Sequence, residues 1–257
     1  MIGSFFGATT FNDTKPVYAS SDNGESWSFR SNVTGIYWAN LFAQGSAVYM
    51  LGTAGDDIHR LSPPQTKPMK GGPVVITKST DSGHSWTVPS VLLHGSFQTG
   101  PTPTISVNGT LFRTMEDSAT TPYPGAFVMW APATSDLTSA ASWSRSNAIG
   151  APPSPKGHVD WQEGSAVHAP SGEVWNVLRV NGQSAAFNNV AGATVLDTAA
   201  KTLRFKQWIH GPFSTSKFVI RRDEAASDPH YYAVATNVTE SAIKLGQIGA
   251  RNNLVLA

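Results

Sequence analysis

Ser20-Ser21-Asp22-Asn23-Gly24-Glu25-Ser26-Trp27 and Ser79-Thr80-Asp81-Ser82-Gly83-His84-Ser85-Trp86 are two copies of one pattern, Ser-x-Asp-x-Gly-x-Ser-Trp. A degraded copy runs from Asp136 to Ser142-Trp143, at nearly the same interval after Trp86, and a fainter one from Asp197 to Thr202-Leu203-Arg204-Phe205. Self-similarity at a fixed period, here roughly 60 residues, is the signature of a repeat architecture. A second marker runs in phase with the first. It is a turn followed by an aromatic-bearing apolar run, at Gly45 to Tyr49, Asn108-Gly109 to Phe112, Ser171-Gly172 to Trp175 and Asp228-Pro229 to Tyr232, and its aromatics keep the same period.

Each turn is flanked by strand-like composition, such as Ala47-Val48-Tyr49-Met50-Leu51 and Glu173-Val174-Trp175-Asn176-Val177-Leu178, as a hairpin requires. Two hairpins fit in one period, so the predicted unit is a four-stranded antiparallel sheet. Such units repeated around an axis make an all-β fold, the β-propeller, in which each blade buries its faces against its neighbours. At about 60 residues per blade the 257 residues supply four blades and a fraction, short of a closed ring. The chain therefore reads as one propeller domain, 1–257, of about five blades or a truncated ring. Met1-Ile2-Gly3-Ser4-Phe5-Phe6-Gly7 resembles mid-strand rather than a secretory leader, and Asn253-Leu254-Val255-Leu256-Ala257 ends in an apolar run. Both ends read as truncated. An open ring leaves sheet faces uncovered and is expected to aggregate or dimerise. The Pro-rich stretches from Ser62 to Lys70 and from Ala151 to Lys156 are predicted to be long loops within the period.

Composition agrees with strands and tight turns. The chain has 23 Gly, 17 Pro, 12 Phe and 8 Trp. With 14% charged residues, a net charge of +1 and no Lys/Arg run, nothing is provided to neutralise a nucleic-acid backbone. No apolar stretch is long enough for a transmembrane helix. The absence of cysteine removes disulfides, a thiol nucleophile and Cys-ligated metal. The seven His residues show no metal-ligand spacing, and there is neither a Gly-x-Ser-x-Gly elbow nor a phosphate loop. No cofactor is implied.

In the repeat itself the short Asp accepts from turn amides, Gly permits a positive φ and Trp offers a large packing face. Its role is structural. These repeats are similar to Asp boxes (BNR repeats), and with them the chain resembles the sialidase (neuraminidase) superfamily, closest to uncharacterised bacterial-type members. Other stretches carry the resemblance further: Glu163-Gly164-Ser165-Ala166-Val167 with Val177-Leu178-Arg179, Arg251-Asn252-Asn253-Leu254, Tyr37-Trp38 to Thr53, Phe112-Arg113-Thr114-Met115-Glu116-Asp117, and Lys217-Phe218-Val219-Ile220-Arg221.

The resemblance implies a six-bladed fold and an exo-α-sialidase type of glycoside hydrolase acting on terminal acidic sugars. It makes Glu163 the base that activates a tyrosine nucleophile and Arg179 and Arg251 two members of a guanidinium clamp on the sugar carboxylate. It leaves Asp13 as the acid/base candidate. On this pattern the family's first arginine falls before Met1 and the nucleophilic tyrosine after Ala257, so this chain is not expected to run the complete mechanism. Arg113 and Glu116, with Asp117, end a strand expected to reach the channel mouth, as substrate contacts or as an internal ion pair. Tyr37, Trp38 and Trp161 stand between sugar stacking and packing. The expected partner is a glycan or small acidic sugar, with no nucleic acid and no membrane. Two other readings stay open: a non-catalytic carbohydrate- or protein-binding propeller, and an enzyme of different specificity, acting on uronates, suggested by Arg113, Glu116 and Asp117.

Overall fold

The computed structural model describes residues 2–4, 14–54, 71–100, 102–120, 124–154, 159–182, 185–213, 215–224, 230–245 and 253–257. Asp13, Arg251, the loop 62–70 and the Asp228-Pro229 turn lie outside them. Apart from one short helix and two 3-10 turns, the described elements are strands, joined as antiparallel meanders. β1 (Ile2–Ser4), β2 (Lys15–Ala19) and β3 (Ser28–Val33) form the first sheet. β4 (Tyr37–Gln44), β5 (Ala47–Thr53), β6 (Gly72–Ser79) and β7 (Ser90–Gln98) follow in order. Next come β8 (Ile105–Val107), β9 (Thr110–Asp117), β10 (Gly125–Pro132) and β11 (Ser144–Arg145). β12 (Val159–His168), β13 (Val174–Gly182), β14 (Val190–Asp197) and β15 (Thr202–His210) make a separate four-stranded sheet. β16 (Val219–Arg222), β17 (Tyr231–Thr236) and β18 (Leu254–Leu256) make the last.

The hairpin turns expected at Gly45, Gly109 and Gly172 fall where predicted, each with a positive φ. Among the described residues the four-strand unit is met without modification only in β12–β15. The second and third units are fused into one eight-stranded sheet, because β7 pairs with β6 from Ser90 to Phe97 and on its other edge places Phe97 and Gln98 opposite Asp117 and Glu116 of β9. Past this shared strand residues 99, 100 and 102–104 lie outside regular pairing, and the chain rejoins β9 as β8.

The core lies between sheets. Phe112 and Val128 of the eight-stranded sheet pack with Ala166, Leu196 and Leu203 of the next, and Val167 and Val177 pack with Phe218, Ile220 and Ala233 of the last. Covered on both faces, β14 is buried at seven successive positions, which is why its sequence, Val-Ala-Gly-Ala-Thr-Val-Leu, shows no polar alternation.

The Ser-x-Asp-x-Gly-x-Ser-Trp stretches form matching turns, after β2 and after β6. In the first, Asp22 Oδ1 accepts from Ser20 Oγ at 2.7 Å and from the Ser26 amide at 3.0 Å, and the Gly24 amide donates to Ser20 Oγ at 2.7 Å. In the second, Asp81 Oδ1 takes Ser79 Oγ at 2.8 Å and the Ser85 amide at 2.9 Å, with Gly83 N on Ser79 Oγ at 2.8 Å. The Ser26 and Ser85 hydroxyls hold the carboxyls of Asp22 and Asp81 far below the usual carboxylate range. Trp86 and Trp143 pack into the core as expected. Trp27 does not: it remains 37% exposed.

Candidate functional site

β12 carries a bulge. Its pairing with β13 jumps from Gln162↔Arg179 to Ser165↔Val177, so that Glu163 and Gly164 together oppose Leu178. Glu163 adopts φ +52°, a backbone region that glycine usually fills in such a bulge and that a long side chain enters only at a cost. Gly164 is required for a different reason: a Cβ there would overlap Asn176 Oδ1.

The bulge aims the Glu163 side chain at two cations. Arg179 Nη1 lies 2.6 Å from Glu163 Oε2 and Lys217 Nζ lies 3.0 Å from Oε1. Arg179 also donates from Nε to the Thr215 carbonyl at 2.9 Å. Arg179 and Glu163 are mostly buried while Lys217 is half exposed, so the cluster opens to solvent on the lysine side. The sequence placed Glu163 and Arg179 in one hairpin, and the structure brings them into contact. Lys217 and Thr215 were missed as site residues. The stretch Lys217 to Arg221 had been singled out, but nothing in one sequence shows that β16 packs beside β12.

Beneath this cluster lies a second layer. Glu116 Oε1 accepts the backbone N–H of Glu163 at 2.8 Å, and the Gly164 amide also hydrogen-bonds to the Glu116 carboxyl. Glu116 is 1% exposed. Burial, with the Glu163 charge added, pushes its carboxyl up to about 8, as expected for an acid taken out of water. Arg113 is fully buried too. It donates to both the carbonyl and the hydroxyl of Thr102 and, from Nη2, to the Gly100 carbonyl at 2.9 Å, so its guanidinium ties down the chain at Gly100 and Thr102, where the Gly100 carbonyl also takes the Thr102 amide at 2.7 Å. Burial lowers its pKa to about 10, opposed by the Glu116 charge.

Of the two roles expected for Arg113 and Glu116, substrate contact or an internal pair, their full burial beside the bulge suits the internal one. Apolar flanks make β9 an inter-sheet strand whose side chains are buried from Leu111 to Glu116. Asp117 turns to Arg145, 3.0 Å away, so Arg113, Glu116 and Asp117 do not form one solvent-facing cluster. Trp161, 1% exposed, packs against Phe205 and Trp208, and Tyr37 is buried under Lys15. Neither is a sugar platform; Trp38 remains half-buried. Among the described residues no cluster of His, Asp or Glu could hold a metal.

No family model and no curated protein matches the chain. Solved structures do. A protein of unknown function from Dyadobacter fermentans superposes with a TM-score of 0.57 at 16% identity, over 95% of this chain and 74% of that one. An α-L-arabinanase of Penicillium chrysogenum, complexed with arabinobiose, gives 0.57 at 14%, over 95% and 73%. A Trypanosoma rangeli sialidase in complex with sialic acid gives 0.60 at 15%, over 96% of this chain and 42% of the sialidase. The chain therefore has the fold of the β-propeller glycoside hydrolases. At these identities the likeness is one of fold, and activity has to be argued from the site.

Proposed function

We propose that this chain is a sialidase-like glycoside hydrolase propeller, a single domain over 1–257 whose successive sheets are blades, acting on a terminal acidic sugar. The observation that carries the reading is Glu163, held in a strained bulge with its carboxylate between Arg179 and Lys217. Strain at a charged, solvent-reachable residue is the kind retained for function. Arg179 and Lys217 supply two positive charges to a sugar carboxylate. When that ligand draws them away, Glu163 is released to take a proton from a nucleophilic hydroxyl. Glu116 acts from below by fixing the backbone of the bulge, and Arg113 by holding Gly100 and Thr102, of which Gly100 lies against the Glu163 side chain. Asp13 and Arg251, outside the described residues, keep the acid/base and clamp roles that the family resemblance implies.

A second reading has its own support. Both Glu163 oxygens are already ion-paired, an arrangement suited to a propeller that binds an acidic glycan without cleaving it. Hydrolysis of a fluorogenic α-sialoside, beside a fluorogenic α-L-arabinofuranoside and a glucuronide, separates these readings when run with Glu163→Gln. Sialoside turnover lost in the variant is the expected result. Turnover of the arabinoside or glucuronide alone replaces the sugar class, and binding of sialic acid without turnover of any probe leaves the non-catalytic propeller.

A further inference from the structure

The address of Glu163 in its sheet recurs. Counting from the turn between β12 and β13, five rungs run from the Ala169–Glu173 bond through His168↔Val174 to Ser165↔Val177, and Glu163 is the second residue beyond. From the turn between β16 and β17, five rungs run from the Asp223–His230 bond to Val219↔Val234, and the second residue beyond is Lys217. From the turn between β4 and β5, five rungs run from Gln44↔Ala47 to Asn40↔Leu51, and the second residue beyond is Trp38. Glu163 and Lys217 meet at 3.0 Å, so in these two sheets this address faces one site.

Trp38 also repeats the backbone of Glu163. The pairing of β4 jumps from Tyr37↔Thr53 to Asn40↔Leu51, leaving Trp38 and Ala39 opposite Gly52, and Trp38 takes φ +43°. Gly52 is needed for this bulge, because a Cβ there would overlap the Tyr37 carbonyl oxygen. A bulky residue at positive φ is an outlier. Two first strands carry the same costly device at the same level, one aiming a carboxylate and the other an indole. Trp38 is half-buried, and among the described residues its indole enters no ring stack and no hydrogen bond.

We infer that Trp38 is a binding residue of the same site, whose indole face stacks on the apolar C–H face of a sugar ring while Arg179 and Lys217 hold the acidic group. The inference rests on the glycan reading above. A sugar ring carries hydroxyls around its edge and aliphatic hydrogens on its faces, so a site built only of ions and carbonyls would leave those faces against water. An aromatic plane beside an ionic cluster matches both parts of the ligand.

The test uses three proteins, wild type, Trp38→Gly and Trp38→Phe, titrated with N-acetylneuraminic acid and with arabinobiose by saturation-transfer NMR, with melting temperature recorded for each. Glycine takes φ +43° without strain, which offsets part of the packing lost with the half-buried indole, so Trp38→Gly is expected to stay folded yet bind the sugar about ten-fold more weakly or worse. Trp38→Phe keeps a ring face and is expected to stay within about three-fold of wild type. An unchanged Kd in Trp38→Gly, or a loss of binding in Trp38→Phe as large as in Trp38→Gly, overturns the role of Trp38 while leaving the glycan reading intact. If wild type binds neither sugar, the glycan reading fails and Trp38 with it.

Discussion

Glu116 Oε1 accepts the backbone N–H of Glu163 at 2.8 Å, so a fully buried acid on β9 holds the strained bulge of β12. Its carboxyl is raised from 4.5 to about 8 by burial first and by Glu163 second. In the unfolded chain it returns to the ordinary value. Between the two values the folded protein keeps a proton that the unfolded chain has lost, so stability falls as pH rises across that window, by up to about 1.4 kcal/mol per pH unit, and is flat outside it. Glu116→Gln imitates the protonated acid and keeps an oxygen for the bulge amides. The difference in unfolding free energy between wild type and Glu116→Gln, measured by urea melts from about pH 5 to 9, is expected to move against wild type with rising pH and to level off above about 8. A pH-independent difference would show that Glu116 does not titrate there.

Gly100 lies against the side chain of Glu163. A Cβ at position 100 would sit 3.0 Å from Glu163 Cβ and 3.1 Å from Cγ, and the Glu163 backbone, fixed by Glu116, cannot retreat. Gly100→Ala is therefore expected to displace the Glu163 carboxylate from Arg179 and Lys217. Sialoside turnover, or sialic acid affinity, should drop by about ten- to a hundred-fold, as sub-ångström misplacement of catalytic groups does. Gly150→Ala, whose Cβ meets nothing within 4 Å, is the matched control and should leave both unchanged.

The turns around Asp22 and Asp81 give the opposite pattern. Their carboxylates are depressed by the Ser26 and Ser85 hydroxyls, so they contribute stability that is fully present above the unfolded value of 3.8 and is lost as pH falls through the lower folded value. Asp22→Asn and Asp81→Asn should each lower the melting temperature by a few degrees at neutral pH, the deficit shrinking in strong acid, with sugar binding unaltered. A binding defect without a stability defect would move these residues from the scaffold to the site.

The repeat was readable because its chemistry is local. Asp, Gly and two hydroxyls within one short stretch determine a turn whatever surrounds it, and the Gly45, Gly109 and Gly172 turns follow from the same short-range rules. The bulge at Glu163 was not readable: Gln162-Glu163-Gly164-Ser165 has a glycine, but it is the glutamate that takes the positive φ. Nor was the fate of Arg113 and Glu116. A strand of Phe-Arg-Thr-Met-Glu looks like one that reaches solvent, and its charges are inside because Gly100 and Thr102 cover Arg113 while the bulge of β12 covers Glu116. The partnership of Glu163 with Lys217 is set by packing between β12 and β16, which lie in different sheets and far apart along the chain, and sequence periodicity does not specify which side chains face across that contact.

Arg179 offers the sharpest separation of charge from geometry. Its Nε reaches the Thr215 carbonyl at 2.9 Å while Nη1 reaches Glu163 at 2.6 Å, two directions at once from one planar group. Lysine keeps the charge but, as a single ammonium on a flexible stem, cannot reproduce that fork. Arg179→Lys should cost about 1–2 kcal/mol of stability through the lost bond to Thr215. If the guanidinium also grips a sugar carboxylate, KM for a sialoside should rise about ten-fold or more through loss of paired hydrogen bonds, with kcat changing less. The KM of a neutral glycoside should not follow. Equal shifts for acidic and neutral substrates would mean that Arg179 only braces Glu163, and an unchanged KM for both would remove it from the clamp.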